Sequence, residues 1–292
     1  MFLSHVSDVK HNHWRVYPQL PNWALITNDH KLSLVSNVCR HQGSRLRGDA
    51  GRGDRMCPFH GWRYDLHGEP LGSGNTKCPN SLALDTKDVF VSNNFVFSDA
   101  VDLTELNFLD NRNLILVENR IDTVNAHWKK VIDLFLDVDH IPIVHPGVYQ
   151  EISAPNISNI KWHYKDNASV QLVPRVEVDN EFNSTLLDAD RALPYSAAWT
   201  TVFPYTMIEW QPGAWFITVC IPVSDALTKI NVYKYKDTRY GAQNWEINSR
   251  VWETAWAQDK NQAEQLTNIE IHPDNLEEQK LHFRKWLEQV SV

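Results

Sequence analysis

Residues 39–46, CRHQGSRL, and residues 57–64, CPFHGWRY, decide how this sequence is read. They present Cys39-x-His41 and Cys57-x-x-His60, separated by fifteen residues that include Gly48, Gly51 and Gly53. Two tight loops can thus bring two thiolates and two imidazoles to one metal centre. A thiolate and an imidazole only two or three positions apart suit a binuclear cluster in which the cysteines hold one iron and the histidines the other. Gly43, Pro58 and Gly61 fit that arrangement, because loops around a sulfide-bearing cluster need close backbone approach if amide N–H groups are to reach the sulfurs. The alternative is a structural zinc site of two cysteines and two histidines. Zinc ribbons and fingers usually space their paired ligands more widely than Cys-x-His.

Around these loops, Val6 to about Phe97 reads as short strands broken by turn signals. In WALITNDHKLSLVS and VFVSNNFVFSD, Asn-Asp and Asn-Asn stand at hairpin tips. This half is expected to be all-β. A polar, acidic join over Ser98 to Asp110 follows, then the strand-like LILVEN, then a helical pattern from Asp122 to about His140. Residues of about 160–235 return to strand-like runs, and from about Ala242 the spacing is helical again. The expected organisation is α+β: an all-β cluster domain over 1–105 and, over 106–292, a second domain with helices bracketing a sheet.

The second domain carries its own candidate ligands. In VNAHWKKVIDLFLDVDHIPIVHP, Val124, Trp128, Val131, Phe135 and Val138 make one helical stripe, and Asp133, Asp137 and His140 make another nearly opposite. A lone helix of this kind would most simply show an acidic solvated face. His145 would point away from His140 on an unbroken helix, but Pro142 between them should bend or end it, letting two imidazoles converge. Two histidines call for one carboxylate to complete a facial triad. Asp259 is the best candidate, since it shares the apolar stripe of Trp252, Trp256, Ala263 and Leu266, where an unpaired carboxylate is expensive without a cation. An Asp at the edge of the stripe, paired with Lys260 or Arg250, is the competing reading.

The CxH and CxxH loops with their glycines and proline resemble those of Rieske proteins. HWKK, followed by Asp-x-x-His-x4-His-Pro, resembles the catalytic signature of Rieske non-heme iron oxygenases, and QDKNQAE resembles the segment bearing their third iron ligand. The resemblance implies a [2Fe-2S] cluster on Cys39, His41, Cys57 and His60, and a mononuclear Fe(II) on His140, His145 and Asp259. It also implies a START-like helix-grip second domain with a substrate pocket beside the iron. Asp137 matches the acidic residue that, in that family, bridges a cluster histidine of one subunit to an iron histidine of the next, which implies a head-to-tail homotrimer. The respiratory members' bracing disulfide cannot form here, since Ser44 and Phe59 hold those positions. Trp62 replaces a serine that bonds a bridging sulfide, while Tyr64 is kept. Fewer donors place the cluster toward the low end of the range of about −150 to +300 mV.

The implied activity is that of a terminal oxygenase that uses O2 to hydroxylate or oxidatively demethylate a small organic substrate. Ring dihydroxylation is an alternative within the class. A Rieske electron carrier with a metal-free ligand-binding domain is an alternative outside it. No flavin or nicotinamide motif is visible, so electrons from NAD(P)H must arrive through a separate reductase, a ferredoxin or both. A formal net charge of −8 argues against nucleic-acid or anionic-membrane partners. No apolar run is long enough for a membrane span or shaped as a signal peptide, which points to the cytoplasm. Locally, however, Arg40, Arg45, Arg47, Arg52, Arg55 and Arg63 make the cluster segment basic. Cys78 and Cys220 stand apart and are expected simply to pack. Twelve tryptophans invite an aromatic cage for a quaternary ammonium, but Trp162, Trp199, Trp210 and Trp215 lie in or beside strand-like segments and are expected in the core. Arg175 or Arg191 could equally bind a substrate carboxylate.

Overall fold

The computed structural model describes residues 1–28, 31–73, 82–107, 109, 111–152, 155–175, 196–267 and 277–290. It divides into two compact units, residues 2–100 and residues 101–292. Cys78, Arg191 and the tip at Asp29 lie outside the described residues.

The first unit is built of short antiparallel strands. A five-stranded sheet runs in the order Ala50–Arg52, His13–Val16, Trp23–Asn28, Lys31–Ser36, Thr86–Lys87. A three-stranded sheet of Arg55–Met56, Arg63–Tyr64 and Pro70–Gly72 carries the second cysteine loop. The strands Phe90–Ser92 and Phe95–Phe97 pair through Asn93 and Asn94, whose φ values of 46° and 57° give the two-residue hairpin expected of Asn-Asn. Trp14, Ala24, Ile26, Val35, Leu46, Tyr64 and Leu84 form a core that also buries Cys39 and Cys57.

The second unit centres on a seven-stranded antiparallel sheet. Its order is Leu114–Val124, Leu227–Asp237, Ala214–Ser224, Thr206–Gln211, Ser196–Val202, Ala168–Pro174, Lys161–Lys165. Among the described residues this unit has four α-helices: α1 (Trp128–Leu136), α2 (Ile141–Val144), α3 (Ala242–Gln265) and α4 (Glu278–Gln289). Residues of α1, α3 and α4 share one core with the sheet, including Trp128, Ile132, Phe216, Trp252 and Phe283. Trp210 and Trp215 are fully buried in edge-on contact, with ring centroids 6.5 Å apart. Each such ring removes roughly 150–250 Å² from water, on the order of 4–6 kcal/mol before entropy is counted.

Two expectations need correction. The helix does not begin at Asp122: the strand continues to Val124, paired residue by residue with the strand that starts at Leu227. Glu118, Arg120 and Asp122 project from one face of that strand toward α3, where Arg120 binds Glu253 and Asp122 accepts from Trp256 Nε1 at 2.9 Å. These period-two polar contacts outweigh the helical spacing that Asp122 shares with the residues after it. The acidic stripe of α1 is not solvated either. Asp133 is only 6% exposed and pairs with Arg284 of α4, and Asp137 pairs with Lys280 at 2.8 Å. The cations of α4 cover that face.

Candidate metal centres

The two cysteine loops share one backbone design. Cys39 N–H donates to Ser44 O at 2.8 Å and receives Gly43 N–H on its own carbonyl at 3.0 Å; Cys57 N–H donates to Trp62 O at 2.7 Å and receives Gly61 N–H at 3.1 Å. Gly43 and Gly61 make these turns at φ +73° and +71°, where a Cβ would be strained. Both loops therefore close over six residues although their histidines sit at unlike offsets. Both cysteines are 2% exposed, while His41 and His60 reach the surface with ring centroids 4.7 Å apart.

The surroundings suit sulfur ligands. Burial would raise the Cys57 thiol, but the backbone N–H groups of Phe59 and His60, helped by Cys39 and Ser44, outweigh it and lower the pKa. Tyr64 OH lies 3.3 Å from Cys39 Sγ. Trp62 stacks on His41 with centroids 4.5 Å apart and planes within 5°, a contact the motif did not disclose. Two buried thiols beside two exposed imidazoles fit a cluster whose sulfur side is shielded and whose histidine side is open.

In the second unit the predicted ligands also come together. α1 ends at Leu136, earlier than Pro142 would require, and Asp137 caps it in extended geometry. Pro142 instead enters the first turn of the short helix α2, which His140 precedes and His145 follows. His140 Nε2 and His145 Nε2 are 3.2 Å apart, and Asp259 Oδ1 from α3 lies 3.2 Å from the first and 2.9 Å from the second. Arg250, a possible partner for Asp259, pairs with Glu151 instead.

The two contacts to Asp259 are close but make no hydrogen bond: Asp259 Oδ1 accepts none among the described residues although that atom is buried. Three donors about 3 Å apart match the edges of one octahedral face with bonds of about 2.1 Å. Burial disfavours charge on His140, yet Asp137 and Asp259 outweigh it and raise its pKa to about 9. Burial would raise the Asp259 carboxyl, but His140 and His145 hold it below its ordinary range. Such a site calls for a cation, and a metal would take the protons' place. Residues His140, His145 and Asp259 therefore fit a divalent iron.

A neighbouring group orients one of the imidazoles. His145 Nδ1–H donates to Gln258 Oε1 at 2.7 Å, which leaves Nε2 with its lone pair. Asp137 Oδ1 accepts the backbone N–H groups of Asp139 and His140 and lies 3.8 Å from His140 Nδ1. Gln258 and Lys280 were not singled out in the sequence. The matching i,i+4 spacing of Asp133/Asp137 and Lys280/Arg284 was the available signal for the latter. The three candidate ligands line a cavity, part of it open to solvent, together with Phe135, Tyr149, Trp199, Met207, Glu209 and Trp252. Arg175 is placed elsewhere, near Gln211.

Comparison with known proteins agrees with both centres. Residues 1–84 match the family model of the Rieske [2Fe-2S] domain, and residues 113–265 match that of the ring hydroxylating alpha subunit, catalytic domain. A putrescine 2-hydroxylase of Bordetella bronchiseptica is 28% identical over 76% of this chain and 61% of its own length. The carnitine monooxygenase oxygenase subunit of Acinetobacter pittii is 26% identical over 70% of this chain and 59% of its own. The chain thus spans about three fifths of the curated relatives it matches. Among solved structures, a quaternary ammonium Rieske monooxygenase superposes with TM-score 0.70 at 17% identity, covering 90% of this chain and 77% of that one. Naphthalene 1,2-dioxygenase from Rhodococcus sp. gives 0.74 at 16% identity, covering 99% and 88%. With cluster loops in one unit, a His–His–Asp site in the other and a family match over each, this chain belongs to the Rieske-type ring-hydroxylating oxygenases, whose cofactors are a [2Fe-2S] cluster and a mononuclear iron.

Proposed function

We propose that this chain is the terminal oxygenase of a multicomponent system that hydroxylates or oxidatively demethylates a small organic substrate. The observation that carries the reading is the convergence of His140, His145 and Asp259 on the wall of an aromatic cavity, in a chain that also bears the cluster loops. Cys39, His41, Cys57 and His60 hold the [2Fe-2S] cluster, and His140, His145 and Asp259 hold Fe(II). When bound, the iron provides open positions for O2 and the cluster provides electrons singly. Gln258 fixes the ring of His145, Asp137 orients His140, and Phe135, Tyr149 and Trp199 exclude water around the substrate.

The relatives support single-site oxidation: besides the putrescine hydroxylase and the carnitine monooxygenase, a methylxanthine N1-demethylase of Pseudomonas putida is 25% identical over 54% of this chain. The likeness to naphthalene dioxygenase is one of fold. A metal-free second domain in an electron carrier has no use for three convergent donors. Electrons from NAD(P)H come through a separate reductase, a ferredoxin or both. In a head-to-tail homotrimer, Asp137 bridges His140 to the neighbouring subunit's cluster histidine. The enzyme works in the cytoplasm, in keeping with the lack, among the described residues, of a helix long and apolar enough to cross a membrane.

The test is O2 uptake in the presence of a reductase and NAD(P)H, screened against small organic compounds. A substrate should stimulate uptake, and Asp259→Ala should abolish the stimulation while leaving the cluster spectrum intact. Stimulated uptake that survives in Asp259→Ala would overturn the reading.

A further inference from the structure

The cavity wall contains a carboxylate that neither metal centre uses. Glu209 belongs to the strand Thr206–Gln211, and alternation places it with Met207 on the face that lines the cavity. The other five residues of that strand are buried, while Glu209 keeps partial exposure, and the cavity is what it faces. Trp199 is its cross-strand neighbour on one side and Phe216 on the other. Among the described residues its sole hydrogen-bond donor is Trp252 Nε1–H, at 2.8 Å.

Among the described residues no lysine or arginine pairs with this carboxylate. Asp133, Asp137 and Asp237, covered acids of the same unit, have Arg284, Lys280 and Arg239. Lys260 lines the same cavity but makes no ion pair with Glu209. Burial pushes the Glu209 carboxyl up to about 8, the Trp252 N–H opposing this and the charge of Asp259 adding to it. A carboxylate so placed takes its full charge only when a cation is brought to it.

The aromatic neighbours narrow the choice of cation. The Trp252 indole is already packed: Trp256 and Phe216 stack on it, and Lys234 and Arg120 lie 5.1 and 5.8 Å from its ring. It therefore offers Glu209 only its N–H edge. Trp199 and Tyr149, with ring centroids 6.4 Å apart, stand beside Glu209 in the cavity wall, and the Glu209 charge helps to raise the Tyr149 phenol above its ordinary range, after burial. One carboxylate beside aromatic rings that line the cavity is a site for an organic ammonium rather than for a hydrated metal ion, which would need more oxygen donors. Resting on the oxygenase reading above, we propose that Glu209 is the counter-ion of an ammonium-bearing substrate, whose charged nitrogen sits against Glu209, Trp199 and Tyr149 and whose neighbouring C–H group faces His140, His145 and Asp259. Of the strand-borne tryptophans expected in the core, Trp210 and Trp215 are there, whereas Trp199 lines the cavity.

The test measures binding, independent of turnover. The iron-loaded full chain is titrated with choline and n-butylammonium, and with their neutral counterparts, the carbon isostere of choline and n-butanol, while tryptophan fluorescence and heat are followed. At least one ammonium should bind about tenfold or more tighter than its isostere. Glu209→Gln, which keeps an oxygen for the Trp252 N–H, should lose that preference while retaining wild-type iron content. Equal affinity for ions and isosteres, binding of neither ion, or an unchanged preference in Glu209→Gln would each overturn the proposal. Ammonium binding by a chain that holds no iron beyond its cluster would support the ammonium site and contradict the oxygenase reading alone.

Discussion

His140 Nε2 and His145 Nε2 face each other at 3.2 Å on rings tilted by 72°. Only the four-residue helix α2 separates them, so one backbone turn sets the distance. Two neutral imidazoles turned nitrogen to nitrogen can share one hydrogen bond, but the unsatisfied Asp259 oxygen beside both makes a metal the better occupant of the space between them. The far side of His145 is held by Gln258, which selects the tautomer able to bind metal through Nε2.

Asp137 tests whether that site is wired to a neighbouring cluster. In Asp137→Ala, Lys280 still has Glu277 at 3.0 Å, so the loss of stability should be modest, about 1–3 kcal/mol. Cluster spectrum and most mononuclear iron should persist, and electron transfer should fail. Single-turnover reoxidation of the reduced cluster with substrate and O2 reads this directly. Wild-type reoxidation and product yield in the variant would reject the bridging role.

Tyr64 OH lies 3.3 Å from Cys39 Sγ, and Tyr64→Phe removes that donor. A lost hydrogen bond worth about 0.5–1.5 kcal/mol in the reduced state corresponds to a fall of roughly 20–60 mV in the cluster potential. Redox titration followed by EPR would show it. An unchanged potential would mean the hydroxyl does not act on the cluster.

Of the six arginines near the cluster, Arg40 pairs with Asp85, Arg63 pairs with Asp54, and Arg55 is buried. Arg45, Arg47 and Arg52 are exposed and make no ion pair among the described residues. They give the cluster end a positive face for an acidic electron donor. Stopped-flow reduction by the donor should slow several-fold as salt rises from roughly 0.05 to 0.5 M, and Gln at all three positions should flatten that dependence. A rate indifferent to ionic strength contradicts the docking idea.

The candidate ligands were legible because the chemistry proposed for them imposes spacing: CxH and CxxH on short loops, two histidines around a proline, and an aspartate on a hydrophobic helical stripe. What sequence periodicity could not show was which faces tertiary contacts cover. Asp133 and Asp137 look solvated until α4 brings Arg284 and Lys280 to them. Asp122 fits a helix until its strand pairs with residues 227–237. Gln258 precedes a ligand and carries no signal of its own, and Glu209 in the apolar run TMIEW was passed over although a charged residue there is costly.

The Asp133–Arg284 pair fastens α4 to α1. Asp133→Ala leaves an Arg284 guanidinium that is largely covered without its carboxylate, and should cost about 2–4 kcal/mol in denaturant unfolding of the second unit. Adding Arg284→Met should recover part of that loss, since the unpaired charge goes with it. Purely additive losses would mean the two side chains do not stabilise each other.

Metal stoichiometry tests the central claim most directly. Anaerobically purified protein should contain about three irons per chain, two of them with acid-labile sulfide, and His145→Ala should contain about two with the sulfide and cluster spectrum unchanged. Zinc in place of the cluster, or a His145→Ala chain that keeps all of its iron, would contradict the assignment.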